Sequence, residues 1–152
     1  MPLPEVIDAS SDPCGLARRW LLDPDFAARL VRLVGKLNER FTAERLSWPT
    51  VRIISGYRNA ETAASVGSNY ETSCHSTCPA LAADLSLGNI EWPADAVVQD
   101  DILIWAMMGG EWELMGGRWG GRFSWDGPFP GAYNLEEKNH FDWGPCLGMA
   151  RP

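Results

Sequence analysis

The segment "LLDPDFAARLVRLVGKLNERF" (21–41) constrains the fold more than any other part of this chain. Asp23 stands where a helix N-cap is wanted, and Pro24 suits the first turn. Phe26, Leu30, Leu33, Val34, Leu37 and Phe41 then recur on one helical face. Such a stripe must lie against a core. The rest of the chain does not read as a partner bundle, because 15 Gly and 11 Pro punctuate it with tight turns. Eight Trp lead us to expect aromatic-lined surfaces as well.

Short β-rich runs supply the other layer. "TVRIISGY" (50–57) reads as a buried strand, and "LAADLSLG" (81–88) as a second with Asp84 inside it. "NHFDWG" (139–144) reads as a final short strand, and "WELMGGRWGGRF" (112–123) as a strand broken by glycines. Two further helices are expected: a short one in "RNAETAASVG" (58–67), and "PADAVVQDDILIWAMMGG" (93–110), stopped by its two glycines. Residues 1–19 read as an irregular arm. With 152 residues, no internal repeat and no long linker, the expectation is a single α+β domain over 1–152, its polar chemistry on strand ends.

Charge and composition narrow the function. A net charge of −7 counts against binding nucleic acid through its phosphates. No apolar run approaches the roughly 20 residues that span a bilayer, so no stable membrane association is expected. "MPLPEVIDASSDPCG" lacks the basic start and apolar centre of a signal peptide, which implies synthesis in the cytoplasm. Four cysteines permit three connectivities. A Cys14–Cys146 clamp with a small Cys74–Cys78 loop clamp suits the spacing, while free thiols are the default without a signal peptide.

The only two histidines, His75 and His140, each lie beside a strand segment and near a carboxylate. A hydrolytic zinc site needs three protein ligands, an open position for water, and a separate carboxylate to take a proton. His75, Asp84 and His140 would supply the ligands, and Glu137, three residues before His140, the base. A single loop histidine is more often a surface group or a satisfied core residue. Asp84 is more telling, because a carboxylate within "LAADLSL" is costly unless paired or metal-bound; the plain alternative is a structural salt bridge.

"SGYRN", "SCHSTCPALAADL", "GGRWGGRF" and "EEKNHFDWG" follow one another in the order of the motifs of a family of zinc peptidoglycan peptidases. The chain resembles this family over about residues 50–144. Its members include D-alanyl-D-alanine carboxypeptidases and dipeptidases and the L-alanyl-D-glutamate endopeptidases of phage endolysins. The resemblance implies a small antiparallel sheet with helices packed on one side, as in hedgehog/DD-peptidase-like domains, and one Zn2+ on the open face. It implies His75, Asp84 and His140 as metal ligands, Glu137 as catalytic base, and Arg58 as the donor that holds substrate and oxyanion. The alternative for Arg58 is a salt bridge to a nearby carboxylate. Ser73 would bind substrate or support the ligands. Trp119 would form one wall of the cleft, its flanking glycines admitting the substrate backbone, unless the segment is simply a glycine-bent core strand.

This chain also departs from the family pattern. Two more residues separate His75 from Asp84, with Cys78-Pro79 where a glycine is expected, so the loop has to bulge. A Cys74–Cys78 disulfide would hold that bulge, or a Cys78 thiolate would replace Asp84 as ligand. Arg122 follows "WGG" where the endolysin branch often has an acidic residue, and Glu136 beside Glu137 leaves the base open to a shift by one. The expected substrate is the peptide stem of peptidoglycan, weakly favouring endopeptidase over carboxypeptidase or dipeptidase action. Holin-type release or carriage on a virion would bring the protein to the cell wall. The alternative of a different class is a non-catalytic peptide- or protein-binding module that keeps the fold and metal.

Overall fold

The computed structural model describes residues 4–43, 49–88, 102–123, 133–146 and 149. They form an α+β domain in which a five-stranded antiparallel sheet, ordered β1-β2-β3-β5-β4, packs with four helices among the described residues. The strands are β1 (Glu5–Ile7), β2 (Val51–Ser55), β3 (Ala82–Leu87), β4 (Arg118–Trp119) and β5 (His140–Asp142). The helices are α1 (Pro13–Trp20), α2 (Pro24–Ala43), α3 (Ala60–Ser65) and α4 (Ile102–Leu114). None of them is long and apolar enough to cross a membrane.

The long helix starts where expected. Asp23 Oδ1 accepts the amides of Asp25 and Phe26 at 2.9 and 3.0 Å, satisfying donors that have no partner within the helix. Phe26, Leu30, Leu33, Val34 and Leu37 are all buried, each contributing about 1.5–3 kcal/mol of apolar burial. The side chain of Phe41, expected on the same face, lies outside the described residues, as do residues 93–101 of the second expected helix.

The N-terminal arm is more ordered than its sequence led us to expect. Glu5–Ile7 adds an edge strand to β2, with Ile7 opposite Val51. Asp12 then caps α1 by accepting the Cys14 amide at 3.1 Å, with Pro13 in the first turn. The glycines of α4 do not stop it either. Gly109 is an interior position where a Cβ would stand 2.1 Å from the Trp119 ring, so glycine there makes room for the indole. The helix ends at Leu114, followed by Gly116 with φ +106°. Residues 112–114, expected as strand, are therefore helical, and only Arg118–Trp119 pairs before a 3-10 turn at Gly120–Arg122.

Four of the five tryptophans among the described residues are core rather than surface residues. Trp20, Trp105, Trp112 and Trp119 are all buried. Trp112 meets Phe26 edge-on at 5.7 Å and Phe141 at 6.1 Å, so one indole joins α2, α4 and β5. Its Nε1–H donates to the carbonyls of Arg118 and Asp142 at 3.1 and 3.0 Å, fixing β4 and β5 together.

Strand periodicity separates the core from the chemistry. Val51, Ile53, Ala83, Leu85, Leu87, Trp119 and Phe141 belong to the apolar cluster beneath the helices. Alternate residues point to the other face: Asp84 on β3, His140 and Asp142 on β5, Arg118 on β4. That polar face carries the site.

Candidate metal centre

Asp84 is the register partner of His140 on one side and of Ser55 on the other, just past a β2 irregularity between Ile53 and Ser55. His75 comes from a loop. Its carbonyl accepts the Arg58 amide at 2.7 Å, and its ring Nδ1 lies 2.7 Å from the Gly56 carbonyl. A carbonyl only accepts, so Nδ1 carries the proton and Nε2 presents a lone pair. His140 is set the opposite way round. Its Nε2 donates to Asp142 Oδ2 at 2.7 Å, which leaves Nδ1 to face the site.

Three donor atoms thus converge. His75 Nε2, His140 Nδ1 and Asp84 Oδ1 form a triangle with edges of 3.2, 3.2 and 3.3 Å. His75 is 1% exposed and His140 8%, so water screens the convergence only from the side of Asp84. Lone pairs aimed at one another in a buried site repel unless a cation stands among them, and the group could hold a metal ion. In the metal-free protein a proton meets the same demand. Burial pushes His140 down, but its hydrogen bonds to Asp142 and Asp84 outweigh it and raise the ring to about 9. Burial likewise pulls Asp84 up, but the attraction of the two flanking histidines and their hydrogen bonds to it hold it well below the carboxylate range.

The triad opens into a cavity of about 620 Å3. Glu137 lies on its wall and is exposed, as is Glu136 beside it. Asn134 Oδ1 accepts both of their amides, at 3.2 and 3.1 Å, and the His140 amide donates back to the Glu137 carbonyl at 3.0 Å. One closed turn therefore carries both glutamates and a histidine of the donor triangle.

Arg58 also lines the cavity, and its guanidinium pairs with Asp84 Oδ2. The salt bridge weighed as its alternative role is therefore formed, and it turns Asp84 so that Oδ1 faces the histidines. Ser73 lines the cavity too, with its hydroxyl accepting the His75 amide at 3.1 Å.

Trp119 does not form the cleft wall expected of it. It is 1% exposed and donates to the Lys138 carbonyl at 2.6 Å, bracing the wall from behind. The neighbouring glycines serve the same packing. A Cβ on Gly120 would lie 2.0 Å from the Glu137 carbonyl, and one on Gly121 would lie 2.3 Å from the indole. They admit the chain's own backbone and ring rather than a substrate.

The cysteines pair differently from either arrangement read from their spacing. Cys74 is bonded to Cys146, with Cα atoms 5.2 Å apart, while Cys14 and Cys78 are free and exposed. The bridge joins the loop before His75 to the chain after His140. The bulge after His75 needs no disulfide of its own. The Leu81 amide closes it on the Cys74 carbonyl at 3.0 Å, and Ala80 exchanges backbone bonds of 2.8–2.9 Å with Leu21 and Asp23. Cys78 lies outside the donor group, which removes it as a substitute for Asp84.

Sequence reasoning missed Asp142. Its signal was available in "HFD", because period-two alternation places it on the same face as His140. No protein-family model matches the chain, and no curated protein matches it.

Proposed function

We propose that the protein is a zinc-dependent peptidase that cuts the peptide stems of bacterial peptidoglycan, as an L-alanyl-D-glutamate endopeptidase. The observation that carries the reading is the His75–Asp84–His140 triangle at the edge of a cavity that also holds Glu137. Zinc held by nitrogen and oxygen at 2.0–2.1 Å in a tetrahedron would place its ligands about 3.3–3.4 Å apart. The observed edges of 3.2–3.3 Å fit that spacing without rearrangement. The motif order over about residues 50–144 supports the substrate class, and the open cavity of about 620 Å3 leaves room for a segment of a stem peptide beside the triad.

Zinc at the triad would polarise the scissile carbonyl and make water a better nucleophile at neutral pH. Glu137 takes the proton of the attacking water and returns it to the leaving amine, a role suited to its exposed place on the cavity wall. Arg58 keeps guanidinium N–H groups beyond those spent on Asp84, and these donate to the oxygen on which charge develops. Asn134 holds the turn so that Glu137 stays beside His140. In this reading the protein reaches the wall after holin-type release or on a virion.

Purified peptidoglycan digested with wild type, Glu137→Gln and Glu136→Gln, each with and without chelator, tests the proposal. Mass spectrometry should find new L-alanyl and D-glutamyl termini with metal-loaded wild type and Glu136→Gln. Glu137→Gln should keep its metal and lose activity by about 10²–10⁴-fold. Termini at D-alanyl-D-alanine would move the reading to a carboxypeptidase. No cleavage of wall or free D-alanyl-D-alanine by the metal-loaded protein would leave a binding module.

A further inference from the structure

His140 can present Nδ1 to the triad only while its other nitrogen is held, and the group that holds it is built as carefully as the ligands. Asp142 is 1% exposed, yet its carboxylate accepts four hydrogen bonds. Oδ2 takes His140 Nε2 at 2.7 Å and one Arg118 N–H at 2.8 Å. Oδ1 takes Arg118 Nε at 2.8 Å and the Gly144 amide at 3.0 Å. Arg118 is thereby bidentate, the geometry that best fixes the plane of a carboxylate. The backbone beneath is fixed as well, by Trp112 on the Asp142 carbonyl at 3.0 Å and by the pairing of Asp142 with both Ala82 and Arg118.

We propose that Asp142, locked by Arg118, is the positioning residue of the metal centre: it fixes His140 in the tautomer and ring orientation that make Nδ1 a ligand. The inference rests on the reading of His75, Asp84 and His140 as metal ligands. Asp142 is not one of the three converging donors, and its hydrogen bond to that group is the one it accepts from His140 Nε2. A plain salt bridge would explain Arg118 and Asp142 but not the shortest contact of the carboxylate, which goes to the histidine. Outer carboxylates of this kind typically change metal affinity 10–100-fold.

The test uses the full chain with zinc and with cobalt as a spectroscopic stand-in. The chain has only two histidines, so a long-range 1H–15N spectrum of the zinc form contains two ring patterns. They should be opposite, with His75 protonated on Nδ1 and His140 on Nε2. Wild type that binds no zinc, or that shows two like tautomers, overturns the ligand reading and the inference with it. Given wild-type binding with opposite tautomers, Asp142→Asn should weaken zinc about 10–100-fold in chelator competition and alter the cobalt absorption bands. Unchanged affinity and bands in that variant overturn the inference alone. Should Asp142→Asn fail to fold, Arg118→Gln replaces it, on a side chain 40% exposed. A weakened affinity with altered cobalt bands in folded Arg118→Gln supports the inference, and wild-type values overturn it.

Discussion

Asp84 and His140 face each other across the β3–β5 ladder, with Oδ1 and Nδ1 3.3 Å apart, so two of the three donors are cross-strand neighbours. The sheet itself sets their separation, and only His75 depends on a loop. His140→Ala removes one cross-strand donor from the open face while Phe141 keeps the core. We expect a folded protein that no longer binds zinc stoichiometrically, measured by metal analysis after gel filtration. Full stoichiometry in that variant would remove the site as drawn.

A metal ion that binds the folded triad and not the unfolded chain should raise stability. Zinc at about 100 times its dissociation constant adds about 2.7 kcal/mol by mass action. Thermal denaturation with saturating zinc should therefore give a higher midpoint than with chelator, and His140→Ala should show no such difference. A wild-type midpoint indifferent to zinc would speak against binding at the folded triad.

Gly120→Ala tests the fit between the β4 turn and the Glu137 turn. The added Cβ would meet the Glu137 carbonyl at 2.0 Å and His140 Cβ at 2.9 Å, both rigidly held. We expect a loss of about 1–3 kcal/mol in urea denaturation, with weaker zinc binding as His140 is displaced. Wild-type stability and affinity would mean that the two turns separate freely.

The Cys74–Cys146 bridge spans a sequence separation of 72. Closing a loop of that length stabilises by about 4 kcal/mol in the chain-entropy treatment, within an observed range of about 2–5. Cys146→Ser should lose stability in that range and bind zinc more weakly, because the bridge ties together the segments that carry both histidines. Cys78→Ser, at an exposed free thiol, should match wild type in both measurements.

Much of this arrangement was legible in the chain because it follows from local rules. The α2 stripe, the Asp23 cap and the alternation in "LAADLSL" each report their own surroundings, and a carboxylate inside an apolar strand marked Asp84 as a site residue. What was missed depends on distant partners. The glycines of α4 look like a stop until the Trp119 ring is seen to occupy the space beside Gly109. Cys74 and Cys146 meet only once the sheet has formed, so the near pairing with Cys78 looked better in sequence. The "WGG" segment reads as a cleft wall because its true occupants, the Glu137 turn and the indole, lie elsewhere in the chain. The first strand and helix were legible in part: "SDPCG" holds a cap and a first-turn proline, but β1 is too short to signal itself.

The two-faced sheet also divides the chain by its tolerance for changes of length. On β5, His140 and Phe141 are adjacent, one serving the donor face and the other the core, and β3 alternates in the same way. Adding or removing one residue in either strand would exchange the two faces, burying imidazole among indoles and turning a phenyl ring toward the carboxylates. The donor triangle and the core would then be lost together. The bulge after His75 is under no such rule, because its ends are pinned at Cys74–Leu81 and at Ala80 while its tip at Cys78 stands in solvent. Insertions and deletions between relatives should therefore gather there, leaving the strands to diverge by substitution alone.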